Sequence, residues 1–236
     1  MDRKQHWAYP LLTRPGLSRA QLLAHFQHEY AVYVRDFPVL LARALGQVPP
    51  VSDVRVSLAE NLFEEQTGGL SRTAPHPELF LRMMEGLGFG RALFEDGATR
   101  LHENALLYRD WLFEESARGP WQAAVALLTI FVEGSVHERA ELTGTFVRPH
   151  PAEAARRHPL VVHYGCPEEA MQLTRAHAAV EGGHRVDAWR IVASHVPERG
   201  EIEARIVSTC QRALGLWLAY RDGVAERMGL SREQAA

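Results

Sequence analysis

Apolar residues recur at helical spacing along most of the chain, and no segment shows the alternating pattern of a β-strand. The pattern predicts an all-α fold, a bundle of about seven helices in one domain over residues 1–236, with its core at about 17–228. The predicted helices cover residues 17–45, 52–66, 76 to 86–90, 98–117, 121–142, 168–194 and 201–227. Residues 143–167 are predicted to be irregular, with one short helix near 152–157, because prolines are frequent there.

Several helix ends carry recognisable signals. Ser18 is a predicted N-cap, Pro38 a kink or break, and Gly46 a stop. Ser52 caps the second helix, which the sequence Thr-Gly-Gly at residues 67–69 ends.

The helix predicted over residues 168–194 has three polar side chains on its apolar face. At ~100° per residue, His177, Glu181 and His184 fall within roughly 60° of one another. Burying imidazole and carboxylate groups costs several kcal/mol unless they are paired or bind a metal. The same face also carries Ala170, Leu173, Thr174, Val180, Ala188, Ile191 and Val192.

The second helix contains three neighbouring glutamates. Glu65 lies at the edge of the apolar arc, beside Val54 and Leu58, whereas Glu60 and Glu64 fall on the opposite side. The pattern therefore predicts that Glu65 points inward and that the other two face solvent.

Further inward polar groups are predicted elsewhere. In the fifth helix Glu133 shares an apolar stripe with His137, and in the first helix Glu29 follows a more interrupted stripe. His76 stands at a helix start, where Pro77 suits the first turn. Singly, each residue is more often a hydrogen-bonded or snorkelling side chain than a ligand.

Composition excludes several classes of function. The chain is 46% hydrophobic and 23% charged, as in an ordinary globular protein, and its net charge of −3 gives no reason to expect nucleic acid. No apolar run is long enough to span a membrane and the N-terminus lacks a secretion signal, so we expect no membrane partner and a cytoplasmic location. Cys166 and Cys210 are expected to be inert thiols.

Taken together, the inward groups form a set with metal-binding chemistry. Glutamate oxygens and histidine nitrogens suit iron or manganese, and the lack of cysteine ligands argues against structural zinc. Two metals fit six such ligands better than one. The set comprises Glu65, His76, Glu133, His177, Glu181 and His184.

The order of these residues resembles a known family. Residues 61–66 (NLFEEQ) are followed by residues 76–80 (HPELF), then by the isolated helical Glu133, and finally by a His-x3-Glu-x2-His motif at residues 177–184. This order is similar to that of the heme-oxygenase-like diiron oxidases and oxygenases, relatives of pyrroloquinoline quinone synthase and of thiaminase II. The likeness spans roughly residues 17–217.

The resemblance implies a seven-helix heme-oxygenase-like bundle that binds two Fe(II) ions per chain through Glu65, His76, Glu133 and the motif at residues 177–184. It implies a non-heme diiron enzyme with O2 as co-substrate, acting in biosynthesis on a small amino-acid-like or carboxylic acid substrate by N-oxygenation, desaturation or C–C cleavage. A homodimer is also implied. Glu181 stands where the family more often has Asp, and His137 is a candidate to support the ligands from a second layer.

Two other functions remain open from the sequence. The first is a metal-independent oxidase or hydrolase of the pyrroloquinoline quinone synthase or thiaminase II type, on the same bundle. The second is a non-enzymatic interaction protein, although no basic stripe or DNA-reading helix supports that role.

Overall fold

The computed structural model describes residues 2–235, apart from the side chains of residue 2 and of residues 180–185. Within these limits 68% of the structure is helix and no strand is present, which confirms the all-α class. The helices are α1 (Tyr9–Leu12), α2 (Arg19–Glu29), α3 (Phe37–Leu45), α4 (Ser52–Thr67), α5 (His76–Gly86), α6 (Glu103–Glu115), α7 (Trp121–Val125), α8 (Glu138–Leu142), α9 (Pro151–Arg156), α10 (Pro159–Tyr164), α11 (Gln172–Ser194) and α12 (Glu201–Arg227).

The predicted count of seven helices is not confirmed, because several predicted helices are divided. The first runs through α2, a π-helical segment at Tyr30–Val34, and α3. Ser18 forms a capping box with Gln21, as its N-cap position predicts, and Pro38 lies in the first turn of α3.

Helix α4 ends where the chain turns back sharply. Gly68 has a φ of 66°, and a Cβ at this position would come within 2.4 Å of the Ala74 carbonyl oxygen. Only glycine meets both requirements at low cost. The following loop therefore folds over the end of α4 and leads directly into α5.

The helix predicted over residues 121–142 is not continuous. After α7 the chain forms a π-helical segment at Ala126–Val132, and Glu133 donates its N–H to the Leu128 carbonyl at 3.2 Å. The helix ends there and α8 begins separately. Because residues 133–137 are not helical, Glu133 and His137 do not share the predicted stripe.

The C-terminal helices agree best with the sequence pattern. The bounds of α12 coincide with the predicted residues 201–227. Residues 143–167 contain two short helices, α9 and α10, where one was predicted. In the described part of the chain, no helix has the length and apolarity that crossing a membrane requires.

Two apolar clusters make up the core, and α11 contributes to both. Leu173 and Ala176 pack in a cluster with α2 and α5, whereas Ala188, Ile191 and Val192 pack in a larger cluster with α3, α4, α6 and α12. The helix therefore crosses from one cluster to the other.

Candidate metal centre

The centre is built around His76, the first residue of α5. Its side chain is 3% exposed, and its Nδ1 atom lies 2.8 Å from Oε1 of Glu65 on α4. The two atoms do not have hydrogen-bond geometry, so the buried Nδ1 has no hydrogen-bond partner among the described residues. The turn at Gly68 brings these two helix ends together.

Glu64 supports the opposite edge of the His76 ring. Its Oε1 atom lies 3.2 Å from His76 Nε2, and its Oε2 atom accepts the backbone N–H groups of Leu70 and Ser71 at 2.7 and 3.0 Å. The prediction that Glu64 faces solvent is therefore wrong: its side chain is 1% exposed, while Glu60 is exposed as predicted. The loop that folds over the end of α4 covers Glu64, and residue spacing within the helix does not report that loop.

The Glu64 contact favours one tautomer of the neutral His76 ring. In that tautomer Nε2–H donates to the Glu64 carboxylate, and Nδ1 carries a lone pair that faces an oxygen of Glu65. A lone pair on Nδ1 and a carboxylate oxygen at this distance repel each other unless a proton or a metal ion neutralises them. A carboxylate that fixes the far nitrogen of a metal-binding histidine is a common feature of metal sites.

His177 on α11 completes a cluster of three donors. Its ring meets that of His76 edge to face, with centroids 4.9 Å apart. Donor atoms of Glu65, His76 and His177 lie within 4.8 Å of one another, and such a group can hold a metal ion. Opposite ligands of a metal with bonds of about 2.1 Å are about 4.2 Å apart, so only a small closure is needed.

Glu133 reaches the same space from the end of the second π-helical segment. Asn61 on α4 is buried and donates from Nδ2 to Glu133 Oε1 at 2.7 Å. The sequence pattern did not select Asn61, although it lies one turn before Glu65 on the same helix. Its amide fixes the orientation of the Glu133 carboxylate.

Four of the six predicted ligands line one cavity of about 170 Å³. They are Glu65, His76, Glu133 and His177. The side chains of the other two, Glu181 and His184, lie outside the described part of the structure. The rest of the wall consists mainly of Tyr33, Val34, Phe37, Val132 and Leu173.

The charges of the centre are consistent with cation binding. Burial by itself would lower the pKa of His76, but the adjacent carboxylates of Glu65 and Glu64 raise it above its ordinary value. Burial would raise the pKa of Glu64, but the hydrogen bonds from Ser71, Leu70 and His76 lower it. Without a metal, the surrounding carboxylates thus favour a positive charge on His76. The oxygen and nitrogen donors fit iron chemically.

His137 is placed differently from the predicted second layer. It precedes α8, is exposed, and stacks its ring on Phe146 with centroids 4.5 Å apart. The contacts that hold the predicted ligands come instead from Glu64 and Asn61.

A second, larger cavity of about 460 Å³ shares Glu133 and His177 with the first. Its polar wall includes Arg148, which pairs with Glu141 at 3.1 Å, and His158, whose pKa burial lowers. The wall of this cavity therefore carries a positive group, Arg148, and a negative group, Glu141, beside the candidate ligands.

The two cysteines show no sign of reactivity. Burial raises the pKa of both the Cys166 and the Cys210 thiol to about 11. Cys166 is buried, with its Sγ atom 3.6 Å from Met171 Sδ. These properties agree with the expectation that both are inert.

Comparison with known proteins supports this assignment of chemistry. A sequence model of a protein family described as an iron-containing redox enzyme matches residues 24–218. The matched region contains all six predicted ligands, and the match confirms the heme-oxygenase-like resemblance. A comparison with curated proteins gave no match.

Proposed function

We propose, on the premise that the chain belongs to the family of iron-containing redox enzymes, that it is a non-heme diiron oxidase or oxygenase. In this proposal O2 is the co-substrate, and the substrate is a small amino-acid-like or carboxylic acid molecule. The observation that carries the proposal is the convergence of Glu65, His76 and His177, with the buried Nδ1 of His76 left without a hydrogen bond.

The proposed ligands are the six residues that the sequence selects. Glu65, His76, Glu133 and His177 line the smaller cavity, and Glu181 and His184 follow His177 along α11. Two ferrous ions held by these residues would supply the electrons that reduce O2.

The protein's own groups have separate tasks. Glu64 keeps the proton of the neutral His76 ring on Nε2, so that the lone pair of Nδ1 remains available to a metal ion. Asn61 orients the Glu133 carboxylate. The apolar wall, which includes Val34 and Phe37, limits water in the smaller cavity and so strengthens electrostatic interactions there.

We place the substrate in the larger cavity, which adjoins Glu133 and His177. Arg148 can pair with a carboxylate there, and Glu141 with an amino group, once the two exchange their mutual ion pair for the substrate. The oxidisable carbon or nitrogen atom would then lie beside the ligands.

Anaerobic Fe(II) titration followed by exposure to O2 tests the proposal. We expect two irons per wild-type chain and an absorbance change on oxygenation. A His76→Ala variant and a His177→Ala variant should each lose iron, whereas His163→Ala, which changes an exposed histidine, should retain it. Fewer than one iron per wild-type chain, unchanged in the two ligand variants, would rule the proposal out.

The alternative of a thiaminase-like hydrolase lacks a cysteine nucleophile in the two cavities described above. Both thiols have raised pKa values, and neither cysteine lines the two cavities described above. A metal-independent oxidase is separated from the diiron enzyme by the same iron titration.

A further inference from the structure

Lys4 is the only lysine in a chain with 26 lysine and arginine residues. Its side chain is buried, with 7% of the residue exposed. It also lies outside residues 24–218, the part that matches the family. A lone lysine in the core, contributed by a segment that the family match does not include, requires a specific explanation.

The contacts of Lys4 supply one. Its ammonium donates to the carbonyl oxygens of Phe131 at 2.6 Å, Val132 at 3.2 Å and Gly134 at 2.9 Å. These three residues flank Glu133, so the ammonium binds the backbone on both sides of the candidate ligand.

The helix end explains why a cation is needed here. The last carbonyls of a helix have no partner within the helix, and they carry the negative end of its dipole. At the end of the second π-helical segment the Phe131 and Gly134 carbonyls are buried, where unpaired polar groups are costly.

The geometry also explains why the cation is lysine. A compact ammonium has three hydrogens that can reach three converging oxygens, whereas a planar guanidinium presents its donors in a fixed fork. The Lys4 ammonium also lies 4.9 Å from the centroid of the Phe131 ring and 5.5 Å from that of Trp217. Cation–π attraction adds to its stabilisation.

The neighbouring residues fix the segment that carries Lys4. Trp7 donates from Nε1 to Asp222 Oδ1 at 2.6 Å, and His6 Nε2 lies 3.0 Å from the same oxygen. Asp222 belongs to α12, so these contacts hold the N-terminal segment against that helix.

We propose that Lys4 is a positioning residue for Glu133. It fixes the backbone on which the Glu133 carboxylate is carried, while Asn61 fixes the carboxylate itself. The inference rests on the proposed function, because it assigns Lys4 a role in metal binding through Glu133.

A double-mutant cycle with Co(II), whose absorbance reports its coordination, tests this role. The four proteins are the wild type, Lys4→Met, Glu133→Gln and the double variant. We expect Lys4→Met to lower the affinity for the Co(II) ion that Glu133 binds by about 10-fold. This lies within the range for residues that support metal ligands. In the Glu133→Gln background the same substitution should cause no further loss, since coupled residues are not additive.

Arg43→Met is the matched control. Arg43 also donates to a carbonyl near a helix C-terminus, that of Phe113 on α6, but it is exposed and does not line either cavity described above. Its loss should leave Co(II) affinity unchanged. A general effect of cations at helix ends would lower affinity in both variants and would overturn the inference.

The remaining outcomes separate the two proposals. Wild-type protein that binds no Co(II) overturns the proposed function and the role of Lys4 with it. Wild-type protein that binds Co(II) through Glu133, with unchanged affinity in Lys4→Met, overturns only the role of Lys4.

A measurement on the wild type covers the case in which Lys4→Met fails to fold. Because the chain has one lysine, protein labelled with ¹³C at the lysine ε-carbon gives a single methylene signal for Lys4 in NMR spectra. We expect paramagnetic Co(II) to shift this signal in the wild type and to shift it less in Glu133→Gln. A signal that stays in place while Co(II) binds would overturn the inference.

Discussion

Two glutamates reach into the core from different helices with the same exposure and opposite surroundings. The side chains of Glu29 on α2 and Glu65 on α4 are each 13% exposed. Glu29 meets a permanent cation of the chain, Arg221, whereas Glu65 meets the imidazoles of His76 and His177.

The Glu29 cluster is closed by the protein itself. Arg221 and Tyr33 both donate to the carboxylate, and the Tyr220 hydroxyl donates to it at 3.0 Å. Burial alone would raise the pKa of Glu29, but the Arg221 guanidinium and the hydrogen bond from Tyr33 lower it to about 2. The charge of the Glu29 carboxylate is thus balanced by Arg221 without any ligand.

The Glu65 cluster, by contrast, consists of side chains that can act as metal ligands. Glu65, His76 and His177 contribute oxygen and nitrogen atoms, and the described structure leaves the buried Nδ1 of His76 without a hydrogen bond. The difference teaches that burial alone does not identify a ligand. The informative property is whether the fold supplies the compensating cation.

Removing Arg221 should have the largest effect. Arg221→Met leaves Glu29 buried without its cation, and we expect a loss of about 3–5 kcal/mol in the free energy of unfolding. Urea unfolding followed by circular dichroism measures it. Arg212→Met, which changes an exposed arginine of the same helix, should cost far less. Equal losses in both variants would show that the Glu29 cluster contributes no special stability.

Acid should weaken the same cluster. The folded pKa of Glu29, about 2, lies below its ordinary 4.5, so its contribution is fully present above pH 4.5 and is lost as the pH falls towards 2. The loss is on the order of 3 kcal/mol. Unfolding measured across this window should show a smaller pH dependence in Glu29→Gln than in the wild type. Identical pH profiles would contradict the assignment.

Metal should stabilise the Glu65 cluster and not the Glu29 cluster. Anaerobic Fe(II) at about 100 times its dissociation constant should add about 2.7 kcal/mol to the free energy of unfolding. Glu65→Gln should lose this gain, whereas Glu60→Gln, a change of an exposed glutamate on the same helix, should keep it. Thermal unfolding with and without metal distinguishes these outcomes, and equal gains in both variants would refute the ligand role of Glu65.

The smallest expected effect concerns Glu64. Glu64→Gln replaces the carboxylate near His76 with an amide of similar size and removes the charge that fixes the ring, so metal affinity should fall about 10- to 100-fold. Co(II) titration measures this loss, with Glu60→Gln again as the control. An affinity equal to that of the wild type would mean that Glu64 serves only the loop at Leu70 and Ser71.

Local sequence signals determined much of the helical framework. The spacing of apolar residues gave the bounds of α12, the capping signal at Ser18 marked the start of α2, and Gly68 marked the end of α4. These signals could be read locally because caps and periodicity act within one or two turns of the helix, although Ser52 is the first residue of α4 and not its N-cap. The same rule selected Glu65 and His177 as inward polar residues, and both line one cavity.

Only the tertiary structure decided which groups complete these residues. The helix ends at the π-helical segment before Glu133, so the predicted stripe with His137 is not formed. Glu64 is buried by a loop, and Lys4 reaches carbonyls 127 to 130 residues away. Spacing along one helix carries no information about such partners, because their contacts depend on how distant segments pack. The sequence therefore determined that Glu29 and Glu65 point inward, and the tertiary structure decided that Arg221 neutralises Glu29 while Glu65 lies against the imidazole of His76.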